Sequence, residues 1–256
     1  MDLVIGCPIY KRSWIFPYWI SCIERQDINL SKVGFVFEAS PDDEPTLQMM
    51  QRFKDANPQI PLFDINIRED ITHHEHAENS RMWTISKYEN MVSLRNSLLK
   101  KVREISPRYY YSLDSDVLLI NPNTIQFLIS HIQDGADAVN TLMFMTPVGT
   151  MYPSVMDWLD DGSGRGYRKE KYDLSTYFKS DVIMAGKMMS EQAYRNIDYK
   201  IHPQGEDLGW CDNAKKMGYN LYCASYIYTP HIMGREMLNN FLSKGDSRGL
   251  LAVGQE

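Results

Sequence analysis

The first 120 or so residues alternate short apolar runs with segments of helical character. The runs LVIGCPI, KVGFVFEAS and IPLFDINI have the length and the β-branched or aromatic content of buried strands. The segment DDEPTLQMMQRFKDA opens with acids and a proline, which is chemistry typical of a helix start. Strands that alternate with helices pair in parallel, and the helices cover both faces of the sheet. The sequence therefore predicts an α/β fold with a mostly parallel central sheet flanked by helices.

The second half of the chain is less regular. ADAVNTLMF, DVIMAGKMM and YNLYCASYIYT are predicted strands, and GEDLGWCDNAKKM is a predicted helix that ends at a glycine. LDDGSGRGYRKEKYDLSTYFKSD is rich in glycine and charge, and it is predicted to be a loop. The chain shows no internal repeat, low-complexity tract or clear linker, so a single domain over residues 1–256 is expected.

Composition limits the classes of partner and the compartment. The net charge of -6 and the pI near 5.6 give no basic field to gather nucleic acid or an anionic membrane. The four cysteines have neither CxxC spacing nor the density of a disulfide scaffold, which favours a reducing, cytoplasmic setting. The apolar stretch WIFPYWISCI has only ten residues and is interrupted by Pro17, so no transmembrane segment is expected.

Two carboxylates lie inside the apolar stretch RYYYSLDSDVLLINP, which is predicted to be one buried strand ending in Asp114 and Asp116. Like charges this close repel, and the burial of an unpaired carboxylate is costly, so a positive partner is expected there. The carboxyl ends of parallel strands are where such sheets bind ligands. Carboxylate oxygens suit Mg²⁺ or Mn²⁺, which are often shared with substrate phosphates. A plain turn is the alternative interpretation, because Asp and Ser are common turn residues.

Arg95 lies in the middle of the apolar stripe of a predicted helix. The stripe consists of Met91, Val92, Leu98, Leu99 and Val102. A buried arginine needs an anionic partner, and its planar fork suits a carboxylate or a phosphate. Membership of a binding site and a structural ion pair with a core carboxylate such as Asp114 are both open.

Glu206 and Asp207 form a second acidic pair at a predicted helix start, in HPQGEDLGW. Helix starts attract acids through capping and the helix dipole. The functional alternative is a general base for an incoming hydroxyl.

Histidines give two further hypotheses about metal binding. His231 follows the last predicted strand, and a neutral imidazole there would be a possible third ligand for Mn²⁺. The HHEH run at 73–76 lies in a polar segment without the companion ligands of a zinc site, so a metal is not expected there.

Taken in chain order, these motifs resemble those of GT-A fold nucleotide-sugar glycosyltransferases, particularly family 2-like enzymes. The resemblance extends over most of the chain, from IGCPIYKR to TPHIM. Its motifs are Cys7-Pro8-Ile9-Tyr10, Glu38, Arg95-Asn96, LDSD, GED and His231.

The resemblance implies where a nucleotide-sugar donor binds. Pro8, Tyr10 and Glu38 would line the nucleoside pocket, and Gly186 would be the small residue beside the donor sugar. Residues up to about 120 would form the nucleotide-binding half, and the remainder of the chain would form the acceptor-side half.

The resemblance also implies a metal ion, Mn²⁺ or Mg²⁺, on the donor diphosphate. Asp114 and Asp116 would hold the ion with His231 as a further ligand, and Ser115 between them would contact the donor. The diphosphate leaves with growing negative charge, which the cation and Arg95 would stabilise.

The expected reaction is transfer of a sugar, in the first instance from a UDP-sugar, to an acceptor hydroxyl. Inverting transfer needs a base, and Asp207 or Glu206 would take that catalytic role; the GED pattern of the resemblance favours Asp207. The segment DDGSGRGYRKEK is a candidate lid over donor or acceptor. A glycan, a glycolipid, a protein or, less expected, a modified DNA base are the possible acceptors.

Three rival classes share some of these motifs. A nucleotidyltransferase of similar fold normally has a glycine-rich basic loop after the first strand, which GCPIYKR lacks. A phosphatase of the haloacid dehalogenase type carries its DxD after the first strand, whereas DSDVLL comes later in the chain. A non-catalytic sugar- or nucleotide-binding protein is the rival that is not an enzyme, and the presence of both acidic motifs counts against it.

Overall fold

The computed structural model describes residues 1–71, 84–145, 152–169 and 171–243. The helices are α1 Phe16–Glu24, α2 Glu44–Ala56, α3 Ile85–Ile105, α4 Thr124–Gln133, α5 Glu191–Asn196, α6 Glu206–Lys216 and α7 Arg235–Ser243. The strands are β1 Leu3–Ile9, β2 Val33–Ala39, β3 Leu62–Ile67, β4 Tyr109–Ser112, β5 Ala138–Leu142, β6 Phe144–Met145, β7 Tyr152–Pro153, β8 Val155–Trp158, β9 Gly166–Arg168, β10 Tyr177–Lys179, β11 Val182–Ile183, β12 Lys187–Ser190 and β13 Leu221–Tyr228.

The main sheet in the described part of the chain has eight strands in the order β10-β13-β5-β12-β4-β1-β2-β3. Strands β4, β1, β2 and β3 run parallel, as do β5 and β13. Strand β12 runs antiparallel between β4 and β5, and β10 is an antiparallel edge strand. The predicted α/β fold with a mostly parallel central sheet flanked by helices is confirmed. Strands from both halves of the chain share this sheet.

The strand β1 shows why the first elements form a layered structure. Successive side chains of a strand point to opposite faces of the sheet. Ile5 and Cys7 pack in the core cluster that contains Trp19 of α1. Val4 packs in the other cluster, with Leu98 of α3. The alternation therefore places a helix layer on each side of the sheet.

The strand predicted in the stretch 108–122, which was expected to end in Asp114 and Asp116, ends two residues before the first of them. The strand β4 ends at Ser112, and the backbone N–H of Leu113 still donates to the carbonyl oxygen of Gly6 at 3.0 Å before the chain turns away. The apolar residues after the turn are buried, but only Val117 forms a ladder contact, an isolated antiparallel bridge with His231. A short apolar run marks burial, and it does not distinguish a strand from another buried segment.

Two predictions in the second half also need correction. The predicted loop after residue 158 contains β9 and β10, although Glu170 lies outside the described residues. The predicted strand DVIMAGKMM is divided into β11 and β12 by a turn in which Ala185 and Gly186 have φ values of 45° and 53°. A positive φ is unfavourable for a residue with a Cβ, and local propensity gave no signal for it at Ala185.

None of the helices in the described ranges has the combination of length and apolar character needed to cross a bilayer. The four cysteines are all free and buried.

Gly209 sets how closely α6 approaches the preceding segment. A Cβ added at Gly209 would overlap the carbonyl oxygen of Lys200, which is backbone and cannot rotate away. The absence of a side chain therefore fixes the position of the helix whose first residues are Glu206 and Asp207.

We expect Gly209→Ala to lower the free energy of unfolding by about 1–3 kcal/mol, the usual cost of overpacking. Urea denaturation followed by circular dichroism measures the change. Lys215→Ala is the matched control on the same helix, because Lys215 is exposed and its Nζ lies 3.7 Å from Asp181 in a surface pair. Equal stability of Gly209→Ala and the wild type would show that the helix can shift freely.

Candidate active site

The candidate site lies where the order of the parallel strands reverses. From β1 the chain proceeds to β2 and β3 on one side, and β4 then pairs with the other side of β1. Ligands of open α/β sheets bind at such a switch point, outside the carboxyl ends of the strands. The loop after β1 and the turn after β4 meet here, and they bring Arg12 next to Asp116.

Asp116 is held between two side chains from distant parts of the sequence. Its Oδ2 lies 3.2 Å from Nη2 of Arg12, and its Oδ1 lies 3.2 Å from Nε2 of His231. The bridge between Val117 and His231 sets this geometry, together with a 2.7 Å hydrogen bond from the Ile232 N–H to the Asp116 carbonyl. The irregular segment after β4 is therefore what joins His231 to the acidic turn.

Asp114 is paired with Arg95. The Nη2 atom of Arg95 lies 2.7 Å from Oδ1 of Asp114, and its Nη1 donates to Ser112 Oγ at 3.0 Å. The same guanidinium lies 5.6 Å from the ring of Tyr199 and 3.6 Å from Oε1 of Glu206. Arg95 is only 1% exposed, so these contacts lock it in place. The ion pair that the sequence left open as one alternative is present, and it lies within the site.

The two neighbouring carboxylates thus each have a guanidinium of their own. Arg95 faces Asp114, and Arg12 faces Asp116. A buried carboxylate is tolerated when an opposite charge and hydrogen bonds compensate for its loss of hydration. This pairing is the positive partner that the sequence required.

Glu206 begins α6 and is buried beside these charges. Burial and, next, the charge of Asp207 raise its pKa, Arg95 lowers it, and the net result is a pKa of about 7. A carboxyl group with this pKa exchanges its proton near neutral pH, which suits general acid–base chemistry.

Asp207 has different surroundings. Its Oδ1 is paired with Nζ of Lys187, and its Oδ2 accepts a 3.0 Å hydrogen bond from the N–H of Ala185. Although burial raises the pKa of Asp207, the nearby Lys187 and Arg95 together hold it below its usual value. Asp207 is therefore ionised, and both of its oxygens are engaged in the resting structure.

Lys187 is a functional candidate that sequence reasoning missed. It is fully buried on β12, with its ammonium 5.2 Å from the ring centre of Tyr199 and 5.6 Å from that of Trp210. The sequence does contain a signal for this role, since Lys187 lies inside an apolar run. A lysine that is buried there requires an anionic or aromatic partner for its ammonium group.

Asp116 and His231 are the residues that fit a divalent cation. Neighbouring ligands of an octahedral ion with bonds near 2.1 Å lie about 3.0 Å apart, and the Asp116 Oδ1 to His231 Nε2 distance is 3.2 Å. Within the described ranges no group of three or more His, Cys, Asp or Glu side chains is placed to hold a metal. Any ion at this pair would therefore take its remaining ligands from substrate oxygens and water. His73 and His76 lie outside the described residues.

The residues predicted to contact the nucleoside lie on and beyond β1 and β2. Pro8 is paired in register with Glu38, whose carboxylate accepts hydrogen bonds from Asn66 at 3.0 and 3.1 Å and from Arg68 at 3.1 Å. Tyr10 donates its hydroxyl proton to Asp42 at 2.9 Å. The hydrogen bonds of Glu38 with Asn66 and Arg68 are thus separate from the ion pairs of the acidic turn.

The two smaller predicted donor residues lie at turns of the site. Ser115 is buried between the two aspartates. Gly186 follows Ala185 in the left-handed turn, and a Cβ there would lie 3.2 Å from Met143 Cε and 3.6 Å from the Tyr111 hydroxyl. The turn that holds Gly186 also directs the Ala185 N–H to Asp207.

Solved structures that resemble this fold are GT-A glycosyltransferases. TarS 1-349 from S. aureus superposes with a TM-score of 0.57 at 14% identity, covering 90% of this chain and 60% of that one. PcManGT from Pyrobaculum calidifontis, in complex with GDP-Man and Mn²⁺, gives a TM-score of 0.59 at 13% identity over 90% and 57% of the two chains. GalNAc-T7 with UDP, GalNAc and Mn²⁺ gives 0.61 at 12% identity over 90% and 44%. The predicted GT-A class is confirmed.

The family follows from the sequence itself. The family model for the glycosyltransferase family 25 N-terminal domain matches residues 3–140, more than half of the chain, and the protein belongs to this family. A glycosyltransferase 25 family member of Aedes aegypti is 24% identical over 123 residues, which are 48% of this chain and 20% of that protein. Procollagen galactosyltransferase 1-A of Xenopus laevis is 40% identical over 53 residues, 21% of this chain and 9% of that protein. The chain therefore matches only a small part of the length of these relatives.

The raised pKa of Glu206 predicts a pH dependence of stability. The folded state keeps a proton on Glu206 up to about pH 7, whereas an ordinary glutamate has lost it above its value of 4.5. Stability is therefore lost as the pH rises through this window, by up to about 3 kcal/mol. Glu206→Gln cannot ionise, so we expect its stability relative to the wild type to increase between pH 5 and pH 8.

Urea denaturation at both pH values measures this difference. Glu104→Gln, on the exposed side of α3, is the control and should show no such trend. A stability difference between Glu206→Gln and the wild type that stays constant with pH would contradict the assignment.

Proposed function

We propose that the protein transfers a sugar from a nucleoside-diphosphate donor, in the first instance a UDP-sugar, to an acceptor hydroxyl with the help of a divalent cation. The observation that carries this proposal is the approach of Asp116 Oδ1 and His231 Nε2 to 3.2 Å, beside the Asp114–Arg95 pair at the switch point of the sheet. Mn²⁺ is present in the structures of PcManGT and GalNAc-T7, and GDP-Man or UDP is bound there. Mn²⁺ suits a mixed carboxylate and imidazole site, and Mg²⁺ is the alternative.

The residues of the chain have distinct proposed roles toward the donor. Asp116 and His231 would hold the cation, which when bound neutralises the charge that develops on the leaving diphosphate. Arg95 is locked by its contacts, so it acts by fixing Asp114 and by adding positive charge to the site. The predicted nucleoside contacts of Pro8, Tyr10 and Glu38, and the donor contacts of Ser115 and Gly186, remain part of the proposal.

An inverting reaction requires a base, and we assign it to the acidic pair at the start of α6. The resemblance to related enzymes indicated Asp207, but in the resting structure its two oxygens are held by Lys187 and by the Ala185 N–H. Glu206 has a pKa of about 7, and among the described residues it has no comparable ammonium partner; its Oε1 lies 3.6 Å from Arg95, which it shares with Asp114. These contacts favour Glu206 as the group that accepts the proton, with Asp207 in a supporting role.

A protein hydroxyl is the first acceptor to test. The support is the 40% identity over 53 residues with a procollagen galactosyltransferase. Glycan, glycolipid and nucleic-acid acceptors are the remaining classes. The proposal also includes a cytoplasmic location, which the four buried free thiols support. It further includes the predicted division of the chain into a nucleotide-binding half and an acceptor-side half.

Metal-dependent donor binding tests the proposal. We expect UDP to bind more tightly with Mn²⁺ than with a chelator, as measured by isothermal titration calorimetry. Asp116→Asn should reduce the factor by which Mn²⁺ tightens UDP binding at least about tenfold. Even the loss of a residue that only supports a metal ligand costs this much in metal affinity. Asp55→Asn on the exposed side of α2 is the control. The same UDP affinity with Mn²⁺ and with chelator would remove the metal from the proposal.

Single substitutions of the acidic pair test the base. Glu206→Gln keeps size and hydrogen bonding but cannot accept a proton, so we expect turnover to fall about 100-fold while UDP affinity is unchanged. Asp207→Asn leaves the buried Lys187 without a counter-charge, so its main expected effect is a loss of about 3–5 kcal/mol of stability.

Two measurements on both variants decide whether Glu206 or Asp207 is the base. They are the turnover rate per folded enzyme and the melting temperature. A roughly 100-fold loss of turnover in Asp207→Asn with an unchanged melting temperature would assign the base to Asp207 instead. Full turnover in both variants would exclude an inverting mechanism that uses this pair.

A further inference from the structure

Arg12 occupies the face of Asp116 that is turned away from His231. Its Nη2 lies 3.2 Å from Asp116 Oδ2, whereas the histidine faces Oδ1. The carboxylate that would hold a cation is therefore already neutralised by a cation of the chain itself. Neither the family motifs nor the sequence predictions gave Arg12 a role.

The backbone of Arg12 is fixed. Its N–H donates to Thr46 Oγ1 at 3.2 Å, and its carbonyl accepts from the N–H groups of Ile15 at 2.9 Å and Phe16 at 2.8 Å. Lys11, just before it, has a φ of 52° and donates its N–H to Asp43 at 2.5 Å. Any change in what Arg12 binds must therefore come from rotation of its side chain.

The side chain of Arg12 is much less constrained than that of Arg95. It is 24% exposed, and Asp116 beneath it is 6% exposed. Its Nε is buried without a hydrogen-bond partner among the described residues. Beyond Asp116, its guanidinium has a loose contact with the ring of Trp14 at 5.9 Å. Arg12 is thus anchored by one carboxylate and retains an unused donor.

We propose that Arg12 is a resident counter-cation: it neutralises Asp116 in the nucleotide-free protein, and it moves to the donor diphosphate when a divalent cation binds the other oxygen of Asp116, on the side of His231. This inference rests on the proposed function. A guanidinium suits both partners, because its fork matches carboxylate and phosphate oxygens alike.

The exchange has a thermodynamic consequence. Without nucleotide, a divalent ion at Oδ1 of Asp116 repels Arg12 at Oδ2 and competes with it for the charge of the same carboxylate, so the guanidinium needs another anionic partner. With nucleotide, the diphosphate supplies that partner, so the metal binds at lower cost. The metal and the nucleotide therefore strengthen each other's binding, and by linkage the factor is the same in both directions.

Arg12→Gln removes the competing charge without removing a proposed metal ligand. We expect the affinity for Mn²⁺ without nucleotide to rise about fivefold or more. The factor by which UDP enhances Mn²⁺ binding should fall by a similar amount. A fivefold effect is at the lower end of the coupling usually found between two binding sites. Titration of Mn²⁺ followed by electron paramagnetic resonance of the free ion, with and without saturating UDP, measures both quantities. Binding alone is recorded, so the result does not depend on an acceptor or on turnover.

The matched control is Arg108→Gln. Arg108 lies at the opposite end of β4, 5.2 Å from the ring of Tyr109, so its removal changes the net charge equally but leaves the site intact. It should bind Mn²⁺ as the wild type does under both conditions. If Arg12→Gln fails to fold, Arg12→Lys replaces it. The lysine keeps the charge and loses the fork, so the Mn²⁺ affinity without nucleotide should stay near that of the wild type while UDP binding weakens.

The outcomes separate this inference from the proposed function. Strong metal–nucleotide coupling in the wild type and in Arg108→Gln, but not in Arg12→Gln, supports the exchange. Equal coupling in all three proteins overturns it and leaves the proposed function in place, with Arg12 as a fixed ion pair. A wild-type protein that binds neither Mn²⁺ nor UDP overturns the proposed function and the exchange with it.

Discussion

The site depends on the neutralisation of two carboxylates that lie two residues apart in a buried turn. Without Arg95 and Arg12, the buried Asp116 and the partly exposed Asp114 in the turn after β4 would each lose the guanidinium that neutralises it. Each guanidinium comes from a different element, one from α3 and one from the loop after β1. Because both carboxylates of this turn need a positive partner, α3 and the loop after β1 must both lie beside the turn after β4, at the switch point of the sheet.

A third ion pair, Lys187 with Asp207, completes the distribution of charge in the site. Lys187 keeps Asp207 ionised, and that negative charge contributes to the raised pKa of the adjacent Glu206. Two neighbouring carboxylates thus differ in protonation near neutral pH because their partners differ. Such a separation of pKa values is how one site supplies both a fixed charge and a group that exchanges a proton.

The site crosses the boundary of the family match. Arg12, Arg95 and the acidic turn lie within residues 3–140, which the family model covers. Lys187, the acidic pair of α6 and His231 follow that range, and in this part only the fold is supported by the comparisons. The matched part supplies the anionic turn and its two guanidiniums, and the rest of the chain supplies the group that faces the acceptor in the proposed reaction.

The elements of the first half were predictable because their apolar periodicity is local. The positions of β1, β2 and β3, the long helix α3 and the parallel sheet all follow from patterns within 20 or so residues. The short strands after residue 144 gave no such signal, since several have only two to four residues and are defined by their partners.

The sequence by itself determined that two acids in an apolar segment needed a cation, and that a mid-stripe arginine needed an anion. It also placed an acidic pair at a helix start and a histidine after the last long strand. Only the tertiary structure decided which charges meet, because ion pairs such as Arg12 with Asp116, or Lys187 with Asp207, join residues 104 and 20 positions apart. The pKa of Glu206 likewise depends on burial and on three neighbouring charges, which exist only once the sheet and α6 are packed.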